Sequence, residues 1–282
     1  MSQTVADLVR HAGNILRTAG IEDPQREARI LVALAMDSEA DRVGLMGPDP
    51  VPAGAMARLA ALLDRRAGLR VPLSHLTGRR AFYDHEFEVS GDVLDPRADT
   101  EILVETALTE PFRQVLDLGT GSGCILLSLL AARPDAGGIG TDASPEALDV
   151  ADRNARRLGL ADRCLFLQAD WYWGVEGRFD LIVSNPPYIA ADEMPGLAPE
   201  LAHEPRMALT DEGDGLDAYR VIVPGAVDHL TPGGRLLVEI GWKQGAAVRR
   251  IFDAAGFCEV AITPDIEGRD RVVGGKLPGF PS

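Results

Sequence analysis

Gln114-Val115-Leu116-Asp117-Leu118-Gly119-Thr120-Gly121-Ser122-Gly123-Cys124 is the stretch of this 282-residue chain that decides its fold. A short apolar run with a β-branched start meets glycine at every second position, and the apolar residues from Cys124 to Ala132 follow. That sequence reads as buried strand, tight turn, helix. The same unit recurs downstream. Gly138-Ile139-Gly140-Thr141 forms a second strand ending at Asp142, with a helix through Ala147, Leu148, Ala151 and Asn154. Leu165-Phe166-Leu167 forms a third, ending at Asp170-Trp171. Leu181-Ile182-Val183 forms a fourth, and it runs into Asn185-Pro186-Pro187-Tyr188, where two prolines remove backbone donors and stop the ladder. Residues 234–239, 258–262 and 271–273 supply three more. Strands alternating with helices predict an α/β domain, a mainly parallel seven-stranded sheet with helices on both faces.

Upstream the periodicity is helical. Leu8, Ala12, Ile15 and Leu16 lead to Gly20. Asp23-Pro24 supplies an N-cap and a first-turn proline. A third helix is expected from Pro52 to Ala67. Residues 1–75 are therefore expected to be a helical bundle serving substrate recognition. Residues 76–97 are expected to be a linker carrying a β-hairpin, Phe87-Glu88-Val89 against Val93-Leu94 around Ser90-Gly91-Asp92, and 98–282 the catalytic domain.

Hydrophobic residues make up 46% and charged residues 25% of the sequence, ordinary for a globular protein. No apolar run reaches the roughly 18 residues that span a bilayer, and the first residues lack a basic, apolar leader. A cytoplasmic location without membrane association is expected. Cys124, Cys164 and Cys258 are far apart in apolar surroundings and read as small core residues, not as a metal site or disulfide framework. The five histidines show no ligand-like spacing, so no metal is expected. The net charge of -15 lies wholly beyond residue 75, because the first 75 residues carry nine acidic and nine basic side chains. An excess of carboxylates opposes binding driven by a phosphate backbone.

Ligands of parallel sheets sit beyond the carboxyl ends of the strands, where four strand ends here carry glycine or polar groups. The loop Gly119-Thr120-Gly121-Ser122-Gly123 lacks the Gly-Lys-Ser/Thr of a nucleotide phosphate loop, and its third glycine comes one residue early for a dinucleotide fingerprint. Alone it could be only a tight turn. Asp142, about twenty residues on at the next strand end, is placed to accept from both hydroxyls of a ribose, or to cap the following helix. Asp170 and Trp171 could clamp an adenine, the carboxylate accepting from its amine and the indole covering a face; Trp171 could equally be a core residue. Asn185 offers an amide oxygen and Pro186 a carbonyl, two acceptors able to face one planar NH2 group. An adenosine ligand without phosphates, next to an NH2 site, suggests S-adenosylmethionine and methyl transfer to nitrogen.

These motifs resemble the class I methyltransferases, with a Rossmann-like domain, and the tetrapeptide resembles the signature of enzymes that methylate amide or exocyclic amino nitrogens. More narrowly, the chain is similar to the HemK/PrmC family of glutamine N5-methyltransferases acting on peptide chain release factors. The matching residues are Pro96-Arg97, Thr100-Glu101, Asp117 to Gly123, Asp170-Trp171, Asn185 to Ile189, Glu204-Pro205, Gly213 to Leu216, Glu239-Ile240-Gly241 with Gln244, and Asp270 to Val273. Asp95 and Ala98 depart from the family's pattern. The resemblance implies that Gly119 to Gly123, Asp142, Asp170, Trp171 and Asn185 hold S-adenosylmethionine. It also implies that Asn185, Pro186, Pro187 and Tyr188 hold the glutamine, with Tyr188 packed on its amide plane. It implies a release factor as protein substrate; a monomer is expected, and the acidic charge leads to the expectation of no stable nucleic-acid partner. A ribosomal-protein glutamine methyltransferase shares the tetrapeptide. An adenine-N6 DNA methyltransferase would present the same two acceptors to a flipped base, and a non-catalytic scaffold would keep only the cofactor residues.

Overall fold

The computed structural model describes residues 4–279, which form two compact units. The first consists of the chain up to Gly78 together with Pro199–His203. Its helices are α1 (Val5–Thr18), α2 (Pro24–Ala35), α3 (Ala40–Val43), α4 (Ala55–Leu63) and α5 (Leu73–Thr77). Thr4 and Asp7 cap α1 reciprocally and Asp23 caps α2, so the orphan first-turn N–H groups are satisfied as the sequence suggests. Leu8, Leu16 and Leu31 are fully buried and Leu59 nearly so. The third expected helix starts three residues late, because Gly54 takes a left-handed conformation, and past Leu63 it widens into a π turn over Asp64–Gly68. That turn buries Arg66, whose guanidinium bonds Glu27 at 2.7 and 3.0 Å and Glu200 at 3.0 Å.

The second unit begins with strands β1 (Arg79–Phe82) and β2 (His85–Glu88), paired antiparallel with Phe82 opposite His85. The hairpin thus lies before the place expected. Its two-residue turn, Tyr83-Asp84, carries neither Gly nor Asn, and Tyr83 itself takes a φ of 51°. Phe82 and Phe87 meet edge to face at 6.0 Å beneath it. Ser90-Gly91-Asp92 only reverses the chain locally, and Val89 and Val93 bury against Ala147 and Val150. The hairpin also does not hang as a free linker. Asn154 accepts from Glu88 N at 2.7 Å and donates to Glu88 O at 3.0 Å, fastening β2 to the larger unit.

Then follow α6 (Glu101–Leu108), β3 (Gln114–Leu118), α7 (Cys124–Ala132), β4 (Gly137–Asp142), α8 (Pro145–Arg157), β5 (Cys164–Gln168) and β6 (Phe179–Ser184). The chain ends through α9 (Asp217–His229), β7 (Leu230–Glu239), α10 (Gly245–Ala254), β8 (Cys258–Pro264) and β9 (Asp270–Lys276). The seven-stranded sheet has the order β5-β4-β3-β6-β7-β9-β8; the first five strands are parallel and β9 is antiparallel to both neighbours. Val115, Leu116, Leu118 and Leu181 to Val183 are wholly buried because helices cover both faces, which is why these strands read as unbroken apolar runs. The order reverses between β3 and β6, which opens a crevice at their carboxyl ends. Of the three cysteines only Cys124 is a core residue. Cys164 is half-buried and Cys258 exposed, because both begin strands at the two edges of the sheet. Among the described residues no helix is long and apolar enough to cross a membrane.

Candidate active site

A cavity of about 230 Å³ occupies the crevice beyond β3, β4, β5 and β6. The glycine loop forms its floor. Gly119, Gly121 and Gly123 have φ values of 69°, 55° and 78°, which side chains other than glycine rarely adopt. The loop is pinned at both flanks. Thr120 N donates to Thr141 O at 2.8 Å, and Thr120 Oγ1 donates to Asp117 Oδ2 at 2.6 Å. The three glycines then serve different ends. A methyl group at Gly119 or Gly121 would meet no protein atom within 4 Å, and both line the cavity. At Gly123 it would stand 3.1 Å from Leu127 and 3.2 Å from Ala151, so this glycine permits close packing of α7 against α8 and does not line the cavity.

Asp142 ends β4 with both carboxylate oxygens held: Oδ2 accepts from Gly121 N at 2.9 Å and Oδ1 from Ser144 N at 3.0 Å. Burial raises its pKa, and those N–H groups work against the rise. Each oxygen keeps a second lone pair for a hydroxyl donor. Asp142 therefore does not cap α8 through its own side chain, a task taken by Ser144, whose Oγ accepts from Ala147 N at 3.1 Å. Asp170 and Trp171 form another wall. Trp171 sits at a φ of 52°, a strained position for a bulky residue, with its carbonyl accepting from Thr141 Oγ1 at 3.4 Å.

Asn185, Pro186 and Pro187 close the far side. Ser184 Oγ donates to Leu118 O at 2.7 Å, which ties the end of β6 to β3. Asn185 Nδ2 donates to Thr100 Oγ1 at 3.1 Å. That bond leaves Oδ1, with no protein donor among the described residues, on the cavity side. Tyr188 is placed differently from the expectation. It does not line the cavity; it packs against the core beside β7, and its hydroxyl donates to Glu239 Oε1 at 3.3 Å. Burial drives the Tyr188 pKa well up, so the hydroxyl stays protonated and a donor. Gln244 braces the tetrapeptide from behind: its Nε2 donates to Tyr188 O at 2.9 Å and Gly215 O at 3.0 Å, and its Oε1 accepts from Gly241 N at 2.9 Å. Gly215 must lack a side chain, since a Cβ there would collide with the Tyr188 carbonyl.

Other cavity residues were not singled out from sequence as site residues. Val93, Leu94, Asp95, Pro96 and Arg97 line it, as do Thr100, Met207 and Ala208. The segment around Val93 was expected to pair as a strand, which hid it, whereas Met207 and Ala208 carry no chemical signal at all. Four acidic residues, Asp92, Asp95, Asp142 and Asp170, line the cavity with a single basic one, Arg97, whose guanidinium is bonded to Glu204 at 2.5 Å. Such a lining favours a ligand with cationic character and disfavours phosphates.

Comparison with known proteins gives the family. Residues 89–216 match the model of the methyltransferase small domain and residues 7–78 that of the PrmC N-terminal domain. The chain is 53% identical over 274 residues to the release factor glutamine methyltransferase of Cereibacter sphaeroides, covering 97% of this chain and 98% of that protein. It is 46% identical to the protein of the same name from Xylella fastidiosa strain Temecula1, over 93% of this chain and 96% of that one. Solved structures agree on the fold: a methyltransferase from Pyrococcus furiosus superposes with a TM-score of 0.50 at 20% identity, over 79% of this chain and 99% of that one. The hMettl16 catalytic domain superposes with a TM-score of 0.56 at 15% identity, over 81% and 82%. With near-complete coverage at this identity, the chain belongs to the release factor glutamine methyltransferase family.

Proposed function

We propose that the protein transfers a methyl group from S-adenosylmethionine to the side-chain nitrogen, N5, of the glutamine in the Gly-Gly-Gln motif of peptide chain release factors. The observation that carries this reading is the Asn185 amide, turned by its bond to Thr100 so that an acceptor oxygen is left toward the cavity next to the Pro186 carbonyl. The cavity suits the cofactor. Gly119 and Gly121 leave a cradle that a Cβ would fill, Asp142 keeps lone pairs for two ribose hydroxyls, and the acidic lining suits a sulfonium. Trp171 and Asp170 would hold the adenine.

When bound, S-adenosylmethionine supplies a methyl group on a positively charged sulfur, activated toward attack. The protein's own task is orientation. A glutamine amide nitrogen is a poor nucleophile because its lone pair is delocalised into the carbonyl. Asn185 Oδ1 and the Pro186 carbonyl would accept its two N–H groups, fix the plane of the amide and stabilise positive charge as it develops on nitrogen. A protonated amide nitrogen is strongly acidic, so its proton leaves without a dedicated base. Gln244, Gly215 and Tyr188 hold the acceptors still from behind. The match over residues 7–78 supports a release factor over a ribosomal protein as substrate.

The test is methyl transfer from labelled S-adenosylmethionine to purified release factor, to its Gln→Ala variant, to ribosomal proteins and to duplex DNA. Label is expected on the unaltered release factor alone. Label on ribosomal protein or DNA in its place would overturn the reading.

A further inference from the structure

Helix α9 carries a choice of residues that its own stability does not explain. Pro224 and Gly225 stand side by side in the interior of Asp217–His229, although proline and glycine weaken a helix more than any other residues. Gly225 is explained by what lies against it. A Cβ built there would stand 2.6 Å from Tyr172 Cε2 and 2.7 Å from Tyr172 Cδ2, so the aromatic ring occupies the place of a side chain. The Tyr172 hydroxyl donates to Ile222 O of the same helix at 2.8 Å. Its ring stacks on that of His229, the last residue of α9, with centroids 4.6 Å apart and planes 9° from parallel. Ile222, Gly225 and His229 thus form a socket for one side chain.

Tyr172 directly follows Trp171, whose φ of 52° is strained for so bulky a residue. Strain of that kind persists only where the surroundings over-determine the backbone. On the amino side Ala169 N donates to Asp142 O at 3.0 Å, and the Trp171 carbonyl takes its long bond from Thr141 Oγ1. On the carboxyl side Trp173 N closes a turn onto Asp170 O at 3.1 Å and Val175 N another onto Tyr172 O at 3.0 Å. Those turns are local, and the anchor that fixes them to the body of the unit is the socket. We infer that Tyr172 is a positioning residue for the cofactor site: seating its ring against Gly225 and His229 of α9 fixes the turn that presents Asp170 and Trp171 to the adenine of S-adenosylmethionine. Asp170 and Trp171 line the cavity, whereas Tyr172, Ile222, Gly225 and His229 do not. The inference rests on the cofactor reading proposed above and extends it to a helix outside the cavity.

Calorimetry and thermal melting of the full-length protein test this. Gly225→Ala is expected to displace the ring and weaken S-adenosylhomocysteine binding roughly tenfold, a usual size of coupling between residues in contact. Methylthioadenosine, which has the same adenine and no amino acid, should lose the same factor, because the loss falls on the adenine wall. Tyr172→Ala should lose as much, while Tyr172→Phe, which gives up one hydrogen bond and keeps the ring in the socket, should stay within about threefold of wild type. Combining Tyr172→Ala with Gly225→Ala should weaken binding no further than Tyr172→Ala alone, since the clash is gone. Melting supplies a reading that general loosening would not give. Alanine favours a helix over glycine, so Gly225→Ala should lower the melting temperature when Tyr172 is present and raise it in the Tyr172→Ala background. Losses that multiply in the double variant would overturn the inference, as would a Gly225→Ala protein that melts lower yet binds S-adenosylhomocysteine like wild type. If Gly225→Ala does not fold, equal affinities in Tyr172→Ala and Tyr172→Phe would overturn it. A wild-type protein that binds neither S-adenosylhomocysteine nor methylthioadenosine would overturn the cofactor reading instead.

Discussion

Placing a methyl group at Gly121 and at Gly123 separates ligand binding from packing within one loop. Both glycines are left-handed, so alanine costs each about 1–2 kcal/mol of backbone strain. At Gly123 the new Cβ lies 3.1 Å from Leu127 and 3.2 Å from Ala151, contacts that must yield where α7 packs on α8. Overpacking of that kind adds about 1–3 kcal/mol. The sum, on the order of 3 kcal/mol, lowers the melting temperature of a unit this size by roughly 6–12 °C. At Gly121 the Cβ meets nothing in the protein, so only the strain remains and the melting temperature should fall by roughly 2–8 °C. The ligand then meets the methyl group instead, and a misfit of one methyl is worth about 10- to 200-fold in affinity. Thermal melting and calorimetric titration with S-adenosylhomocysteine measure both quantities on both variants. Gly121→Ala should be the more stable and the weaker binder. Wild-type affinity in Gly121→Ala, or equal melting of the two variants, would refute the division of labour assigned to the loop.

Other outcomes follow from the same geometry. Asn185→Ala should lower kcat by at least a hundredfold and leave S-adenosylhomocysteine affinity within a few-fold; near-normal turnover would remove Asn185 from the acceptor pair. Asp142→Ala should weaken S-adenosylhomocysteine binding by tenfold or more, since it removes the acceptor and frees the Gly121 and Ser144 N–H groups, and an unchanged dissociation constant in calorimetry would contradict this. Stability should decline from pH 5 to pH 8. Asp117 and Glu239 are buried with pKa values raised to about 7, so the folded state holds protons that the unfolded chain has released, a slope of up to about 1.4 kcal/mol per pH unit for each group. Asp117→Asn should flatten that slope in urea titrations at the two pH values, and an unaltered slope would show that Asp117 does not titrate there.

Most of the sheet was legible because strands covered on both faces leave unbroken apolar runs, and prolines or glycines mark where they stop. The cavity's floor and far wall were legible for the same reason, since Gly119, Asp142 and Asn185 all stand at strand ends. What stayed hidden depends on distance along the chain. Thr100 bonds Asn185 across 85 positions and Tyr188 bonds Glu239 across 51, and no local spacing encodes either pair. Thr100, Glu239 and Gln244 stood out only as residues of a resemblance, without a role. The hairpin was misplaced for a local reason: Tyr83 adopts a left-handed turn without the glycine or asparagine that would announce it. Tyr188 was read as a wall of the substrate site because the sequence shows its neighbours but not the buried acceptor its hydroxyl finds behind them.

The short segment Pro199–His203 gives the helical unit an unusual dependence on the order of synthesis. Arg66 waits for Glu200, 134 residues later in the chain, and Arg70 for the same carboxylate. As the polypeptide emerges, the five helices can collapse, but a buried guanidinium remains with Glu27 and the Val71 carbonyl, without its second carboxylate, until six strands of the next unit have been made. Cutting the gene at residue 78 would freeze that unfinished state permanently. A fragment ending there should therefore be less stable than the same unit in the intact chain, and supplying Pro199–His203 as a tethered peptide should restore part of the difference.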